Sequence, residues 1–408
     1  MLLSRTLLCT FFSQVANSVE FACELVCVVT MRRLLTVLST CLWACGDNSV
    51  GAKDAGTSDA WQPAAHIPLP QVFPHSGTVL SSVQMVTVTF DDYPAQADVV
   101  QFGQSIVTSS WYTSAGTEYS VHAGAQIGTV QLRRPPGNAM SRQDIRTQIA
   151  NLATSDLTAV RAVPAVPPVP AVAAPEPLYV VYVPADVAIT DLDGRRSYHD
   201  VIKLGDGGRV PLAVVLDDGS GTAATLLAAA HQLIDTATDP FPPPRDGFYA
   251  DPPASDPWSL ALGEIADLCE GEDLVSDGGY ALPRVYSNRA VTAGQSPCTP
   301  VVPNDTYNDV SATPPQMPTV AAGSSAVYVL TGWSTREIPD WSLSLHAADR
   351  SDFTLLQMSP DLSSDMINNK SKVTLTLRVP PDAISGQTGG VYVLSGDKHP
   401  WAVGFVVK

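Results

Sequence analysis

Positive charge is scarce in this chain. Its 408 residues hold 23 Lys and Arg against 40 Asp and Glu, a net charge of −17. A surface this acidic repels polyanions, so nucleic acid and anionic lipid headgroups are excluded as partners. Charge of either sign is also sparse, at 15%, while hydrophobic residues make up 45% and there are 34 prolines. That balance describes a folded, turn-rich chain and argues against wholesale disorder. Three motifs are missing as well: a phosphate-cradling glycine loop, a dinucleotide fingerprint and a serine-nucleophile elbow. Gly219-Ser220-Gly221 is too short for the last and lacks its strand–serine–helix context.

Seven cysteines are present, and four of them precede Cys45. Met31-Arg32-Arg33 followed by the apolar run 34–41 is too short to span a bilayer and suits a signal-peptide core. Leu42-Trp43-Ala44-Cys45-Gly46 then resembles the lipobox of bacterial lipoproteins, in which the cysteine is lipidated and becomes the new N-terminus. Trp43 is bulkier than the usual residue between the two apolar positions. The resemblance implies a signal region over 1–44, a lipid on Cys45, and a lipid-anchored place in a bacterial cell envelope, facing periplasm or exterior. Residues 1–30 are either an upstream extension before a true start at Met31 or part of one long signal region. The competing reading makes Cys45 an ordinary signal-peptide cysteine and the product fully secreted. Residues 46–70 are small and polar with scattered proline, so 45–70 is expected to be a tether. After cleavage Cys269 and Cys298 remain, and an even remainder in an exported chain suggests a disulfide rather than two free thiols. A loop of about 28 residues closed this way contributes roughly 3–4 kcal/mol on the chain-entropy model.

The body divides at about residue 312. In 71–312, alternation over 78–90 predicts a strand, 95–110 a helix, 129–132 a strand, and Ile145, Ile149 and Leu152 a helix. Residues 160–177 form a Pro/Ala/Val insertion favouring polyproline II. The apolar runs 178–183 and 212–216 read as central strands covered on both faces. Asp217 to Thr222 is a turn and cap cluster that launches an Ala-rich helix over about 223–237, stopped at Pro240. Residues 241–312 are mostly loop. In 313–408 six strands are expected, at 326–331, 341–346, 353–356, 373–379, 391–395 and 401–407. Short turns between them read as an immunoglobulin-like β-sandwich.

The Ala-rich helix carries His231-Gln232-Leu233-Ile234-Asp235. Positions i and i+4 share a face, so His231 and Asp235 can point at one metal ion. Gly263-Glu264-Ile265-Ala266-Asp267 offers Glu264 or Asp267 as a third ligand. One imidazole with two carboxylates suits zinc with an open water position. The bland alternative is a histidine buried and hydrogen-bonded against the sheet. For His199 a surface position is expected, and for Asp239 a role in fixing the turn after the helix.

AAAHQLIDTATDP, then GEIADLC, then Ser287-Asn288 and Cys298 resemble a group of secreted H-E-x-x-E proteins, bacterial relatives of the plant phosphate-induced, EXORDIUM-like family. The resemblance spans roughly 75–300. It implies an α+β zincin-like metallopeptidase domain with a mixed sheet and an active-site-type helix. In zincins the Glu after the first His takes a proton from zinc-bound water. Here Gln232 holds that position, and an amide cannot accept the proton at neutral pH. Loss of a general base typically costs about 10²–10⁴-fold in rate. Asp235 replaces the second Glu and reaches about 1.5 Å less far. The expected function is therefore an inactive metallopeptidase-like lipoprotein serving as a binding or scaffold module for extracellular peptide or polysaccharide. The rivals are an active zinc peptidase with Glu264 or Asp267 as an unusual base, and a purely structural surface protein.

Mass spectrometry of membrane fractions tests the anchor: Cys45 should be N-terminal and carry the lipid mass, and Cys45→Ser should shift the protein to the soluble fraction. An unmodified wild-type product starting elsewhere refutes it.

Overall fold

A computed structural model describes residues 61–75, 78–154, 177–192, 195–205, 207–241, 247–250, 263–302, 305–347, 359–396 and 398–408. The expected signal region, Cys45, the insertion up to residue 176 and the strand at 353–356 lie outside these. Among the described residues no helix is long and apolar enough to cross a membrane.

The larger part is built on a five-stranded mixed sheet. Its strands are β1 (Ser82–Phe90), β2 (His122–Leu132), β3 (Pro177–Val183), β4 (Ser197–Lys203) and β5 (Arg209–Leu216), in the order β2-β1-β3-β5-β4. All neighbours pair parallel except β4, which runs antiparallel along the edge of β5, with His199 opposite Ala213. The continuous apolar runs of β3 and β5 sit at interior positions, where both faces need cover.

Side chains alternate along β3. Leu178, Val180 and Tyr182 join one core, and Tyr179, Val181 and Val183 the other. On the first face pack α1 (Gln96–Ile106), α2 (Ser110–Thr117) and α4 (Thr222–Thr238), through Val99, Phe102, Trp111, Tyr112, Leu226 and Leu233. On the second lies α3 (Arg142–Thr154), which inserts Ile145 and Ile149. The helix expected over 95–110 is present but ends at Ile106, and a second, unexpected helix follows it. Ser109 starts that helix, with an extended backbone and a side chain that accepts from Tyr112 N. β2 also starts earlier than the expected 129, at His122. β4 was not expected as a strand, although Tyr198 and Ile202 alternate inward.

A sandwich-like pair of sheets follows. It contains β8 (Asn308–Thr313), β9 (Ser325–Ser334), β10 (Trp341–Ala347), β11 (Ser359–Leu362), β12 (Lys372–Arg378), β13 (Thr388–Ser395) and β14 (Lys398–Val407), after a small hairpin of β6 (Val275–Asp277) and β7 (Tyr280–Leu282). One sheet has the order β8-β9-β12-β11; in the other, β14-β13-β10 is flanked by Thr319–Val320 and Met366–Ile367. Leu330, Leu375 and Leu377 of the first sheet and Val393 and Phe405 of the second share one core. The Tyr328 hydroxyl crosses it to donate to Gly404 O. Five of the six expected strands are present as β9, β10, β12, β13 and β14. Polar β8 and β11 (NDVSAT and SPDL) escaped notice for want of apolar alternation, and β8 moves the start of this unit back from 313 to Asn308.

The expected tether needs correction at its C-terminal end. Residues 61–70 do not swing free. Ala64 and Leu69 are buried, Ala64 N donates to Asn369 Oδ1 at 2.7 Å, and Ile67 N donates to Ser311 Oγ at 3.0 Å. His66 stacks on Trp333 with ring centroids 3.7 Å apart. These contacts satisfy backbone groups that a solvated linker would leave to water.

Cys269 and Cys298 form a disulfide, with Cα atoms 5.7 Å apart and 29 positions apart in sequence. It ties the loop before β6 to the short strand Cys298–Thr299, which pairs with Val285–Tyr286. Replacing both cysteines by serine should lower unfolding free energy by about 3 kcal/mol, read from urea denaturation. A loss below about 1 kcal/mol would show that the loop is held by its other contacts.

Asp277 joins the β6–β7 hairpin to α2. Its Oδ2 accepts from Trp111 N at 2.6 Å and Ser110 Oγ at 2.7 Å, acting as a cap from outside the helix. The Trp111 N–H and the Ser110 hydroxyl hold the Asp277 carboxyl below the usual carboxylate range. A depressed carboxyl stabilises the fold above its unfolded pKa of about 3.9, and that contribution fades as pH falls through the lower folded value. Asp277→Ala should cost about 0.5–1 kcal/mol near pH 7, since solvent screens the site, and progressively less at acid pH, below the unfolded value. An equal loss at neutral and acid pH would refute the assignment.

Candidate metal centre

α4 begins after Gly221, whose φ of +102° is one that L side chains rarely adopt. Asp217 Oδ1 accepts from Gly219 N, and Asp218 Oδ1 from Ser220 N, so the expected cap cluster acts as consecutive turns, with no side chain capping the helix. The helix lies along β5 and the edge strand β4. Leu226, Ala229, Ala230, Leu233, Ile234 and Ala237 bury its apolar side. Small alanines let the helix approach the sheet closely, and the polar residues His231, Gln232 and Asp235 are drawn in with it.

Facing α4 is the loop 263–269, which ends in a short 3₁₀ turn over Asp267–Cys269. Ala266 N donates to Asp235 Oδ1 at 2.9 Å, and Tyr286 N donates to Ile265 O at 2.8 Å. The disulfide at Cys269 holds the end of this loop. Asp267 is thereby brought over the helix.

His231 Nε2 lies 3.0 Å from Asp235 Oδ2 and 3.0 Å from Asp267 Oδ1. An imidazole nitrogen carries at most one hydrogen, so it cannot bond both carboxylates well. Asp235 Oδ2 is buried, and His231 is its partner at 3.0 Å. Three donor atoms converge within 4.8 Å of one another, as they would around an ion. The shorter reach of Asp235 does not keep it out of this group, because Asp267 closes in from the loop. Asp235 is buried while Asp267 stands half exposed at the rim, which leaves a side open to solvent.

A proton on His231 is one source of the positive charge this group needs. Burial works against it, but the charge and hydrogen bond of Asp235, then of Asp267, raise His231 well above the ordinary histidine value. Burial pushes Asp235 up, and His231 pulls it back only in part. Partial burial also opposes ionisation of Asp267, yet the hydrogen bond and charge of His231 hold it below the usual carboxylate range.

Of the two expected third ligands, Asp267 joins His231 and Asp235, and Glu264 does not. Glu264 belongs to a second group with His199 and Asp239, whose donor atoms also lie within 4.8 Å of one another. Both groups could hold a metal ion. His199 corrects the surface expectation: its side chain is 9% exposed, with Nδ1 3.4 Å from Gln232 Oε1 and Nε2 3.5 Å from Glu264 Oε1. The signal was in the alternation of β4. Tyr198 and Ile202 face α3, so His199 must face α4. Asp239 does fix the turn, since its Oδ1 accepts from Gly247 N at 3.0 Å. A Cβ on Gly247 would lie 2.0 Å from Thr238 O, so only glycine allows this approach.

No family model matches the chain, and a search of curated proteins found no match.

His231→Ala would leave the Asp235 carboxylate buried without its cation. In chelator at pH 8 it should cost about 3 kcal/mol, the low end for a broken buried pair, because the carboxyl can take up a proton instead. His231→Leu combined with Asp235→Leu should recover most of that loss in urea unfolding. A single variant as stable as wild type would show that the pair is not coupled.

Proposed function

We propose that the chain is an envelope lipoprotein anchored through Cys45, with a zincin-like domain that binds zinc without hydrolysing peptides, followed by an immunoglobulin-like domain. The domain then acts as a binding or scaffold module for extracellular peptide or polysaccharide. Several features support this reading. The sheet is mixed with one antiparallel edge strand, an Ala-rich helix lies alongside that edge, and His231, Asp235 and Asp267 converge at the helix. One imidazole and two carboxylates with an open side suit zinc. When bound, the ion would polarise a water or carbonyl oxygen.

The observation that carries the lack of turnover is Gln232. Its amide follows His231 and faces His199, so the residue after the histidine offers no carboxylate to take a proton from water. The alternative base residues have other parts in this reading: Asp267 Oδ1 lies at His231 as a ligand, and Glu264 sits with His199 and Asp239. The apolar face of α4 places these groups, and nothing in that packing needs turnover.

Zinc analysis combined with a broad peptide-cleavage screen tests the proposal. Wild type should bind zinc and show no chelator-sensitive cleavage, and any activity should appear only in Gln232→Glu. Ordinary metal-dependent turnover by wild type overturns the inactive reading. Absence of bound zinc with full stability in chelator would leave the purely structural reading.

A further inference from the structure

We propose that His199, Asp239 and Glu264 form a second divalent-metal site beside the first, and that Gln232 is the outer partner that orients His199. This inference does not depend on the His231 group holding an ion.

The geometry is that of a built site. His199 and Glu264 side chains are 9% and 8% exposed, and Asp239 is fully buried. His199 Nε2 is enclosed and makes no hydrogen bond among the described residues, although it points toward Glu264 Oε1 at 3.5 Å. Two donors bound at about 2.1 Å to a tetrahedral ion stand about 3.4 Å apart, close to that separation. An imidazole donating to the carboxylate would have closed the gap to about 2.8 Å.

A metal-binding histidine typically directs its remaining N–H at an acceptor, which sets tautomer and ring orientation. His199 Nδ1 faces Gln232 Oε1 at 3.4 Å. With Nδ1–H turned to the amide, the lone pair of Nε2 points at Glu264 and Asp239. Asp239 is held in turn by Gly247 N on its Oδ1. One neutral imidazole and two carboxylates are a donor set that suits a divalent ion.

The two groups are built alike. Each takes one histidine, one aspartate from α4 or its end, and one acid from the 263–269 loop: His231, Asp235 and Asp267 in the first, His199, Asp239 and Glu264 in the second. Asp235 and Asp239 are one helical turn apart, which sets the groups side by side. Gln232 lies between them. A glutamate there would place a third carboxylate against His199, and Nδ1 would then face a charged acceptor in place of an amide. The amide that removes a hydrolytic base is thus suited to supporting a second ion.

Equilibrium dialysis of the metal-free chain against zinc, with metal counted by mass spectrometry, provides the test. Wild type should hold two ions. His199→Ala and Glu264→Gln should each lose one and keep the other, and His231→Ala should lose the other one. Gln232→Leu should weaken the second ion's binding by about 10–100-fold, the usual effect of losing an outer-shell partner. In wild type, zinc titration should shift the His199 Nε2 nitrogen resonance, a readout that needs no variant and survives any misfolding among them. A stoichiometry unchanged by His199→Ala in a folded variant, or a His199 resonance that does not respond, overturns the proposal. A single ion lost only in His199→Ala would keep this site and refute the first. A single ion lost only in His231→Ala does the reverse.

Discussion

Everything at the site depends on one buried hydrogen bond, from Ala266 N to Asp235 Oδ1. It joins two pieces of chain 31 positions apart, the Ala-rich helix and the loop of the disulfide. Asp235 is oriented by this bond, and the loop is set against the helix by it. Both Glu264 and Asp267 then follow, because they flank Ala266 within a short turn. The loop is held from behind by the Cys269–Cys298 bridge and by Tyr286 N on Ile265 O. A buried hydrogen bond to a charged group is among the stronger single contacts in a fold. Its loss would leave both a desolvated amide and a carboxylate without orientation.

The concentration of polar groups on an otherwise apolar helix has a physical consequence. Burying carboxylates and imidazoles is unfavourable unless charge and hydrogen bonds are balanced. Along α4 that balance is sought in two neighbouring groups, and in each an imidazole faces two carboxylates. In His231 the imbalance appears as a proton held far above its ordinary range. A cation would serve the same electrostatic need. The small residues of the helix make this possible: alanines bring its backbone close to β5 and β4, so that Asp235 meets the loop and Gln232 the edge strand.

Much of the architecture was legible from residue patterns. The unbroken apolar runs of β3 and β5 marked interior strands, and Ile145 and Ile149 marked the helix on the far face. Alternation found five strands of the second unit. Less was visible where pattern and environment part company. β11 is exposed and held by its pairing with β12, whereas β8 buries the polar Asp309 and Ser311 beside Val310. Residues 61–70 look like a linker by composition, yet their backbone groups are claimed by Asn369 and Ser311, far away in sequence.

The residues themselves determined that His231 and Asp235 share a face, because helical periodicity fixes that from local spacing alone. They also determined that an amide follows the histidine. Tertiary structure decided the rest: that Asp267 and not Glu264 completes the first group, and that His199 arrives from an edge strand to pair with Gln232 and Glu264. These meetings join segments more than thirty positions apart. Their distances are set by how helix, sheet and loop pack, and no local pattern encodes that packing.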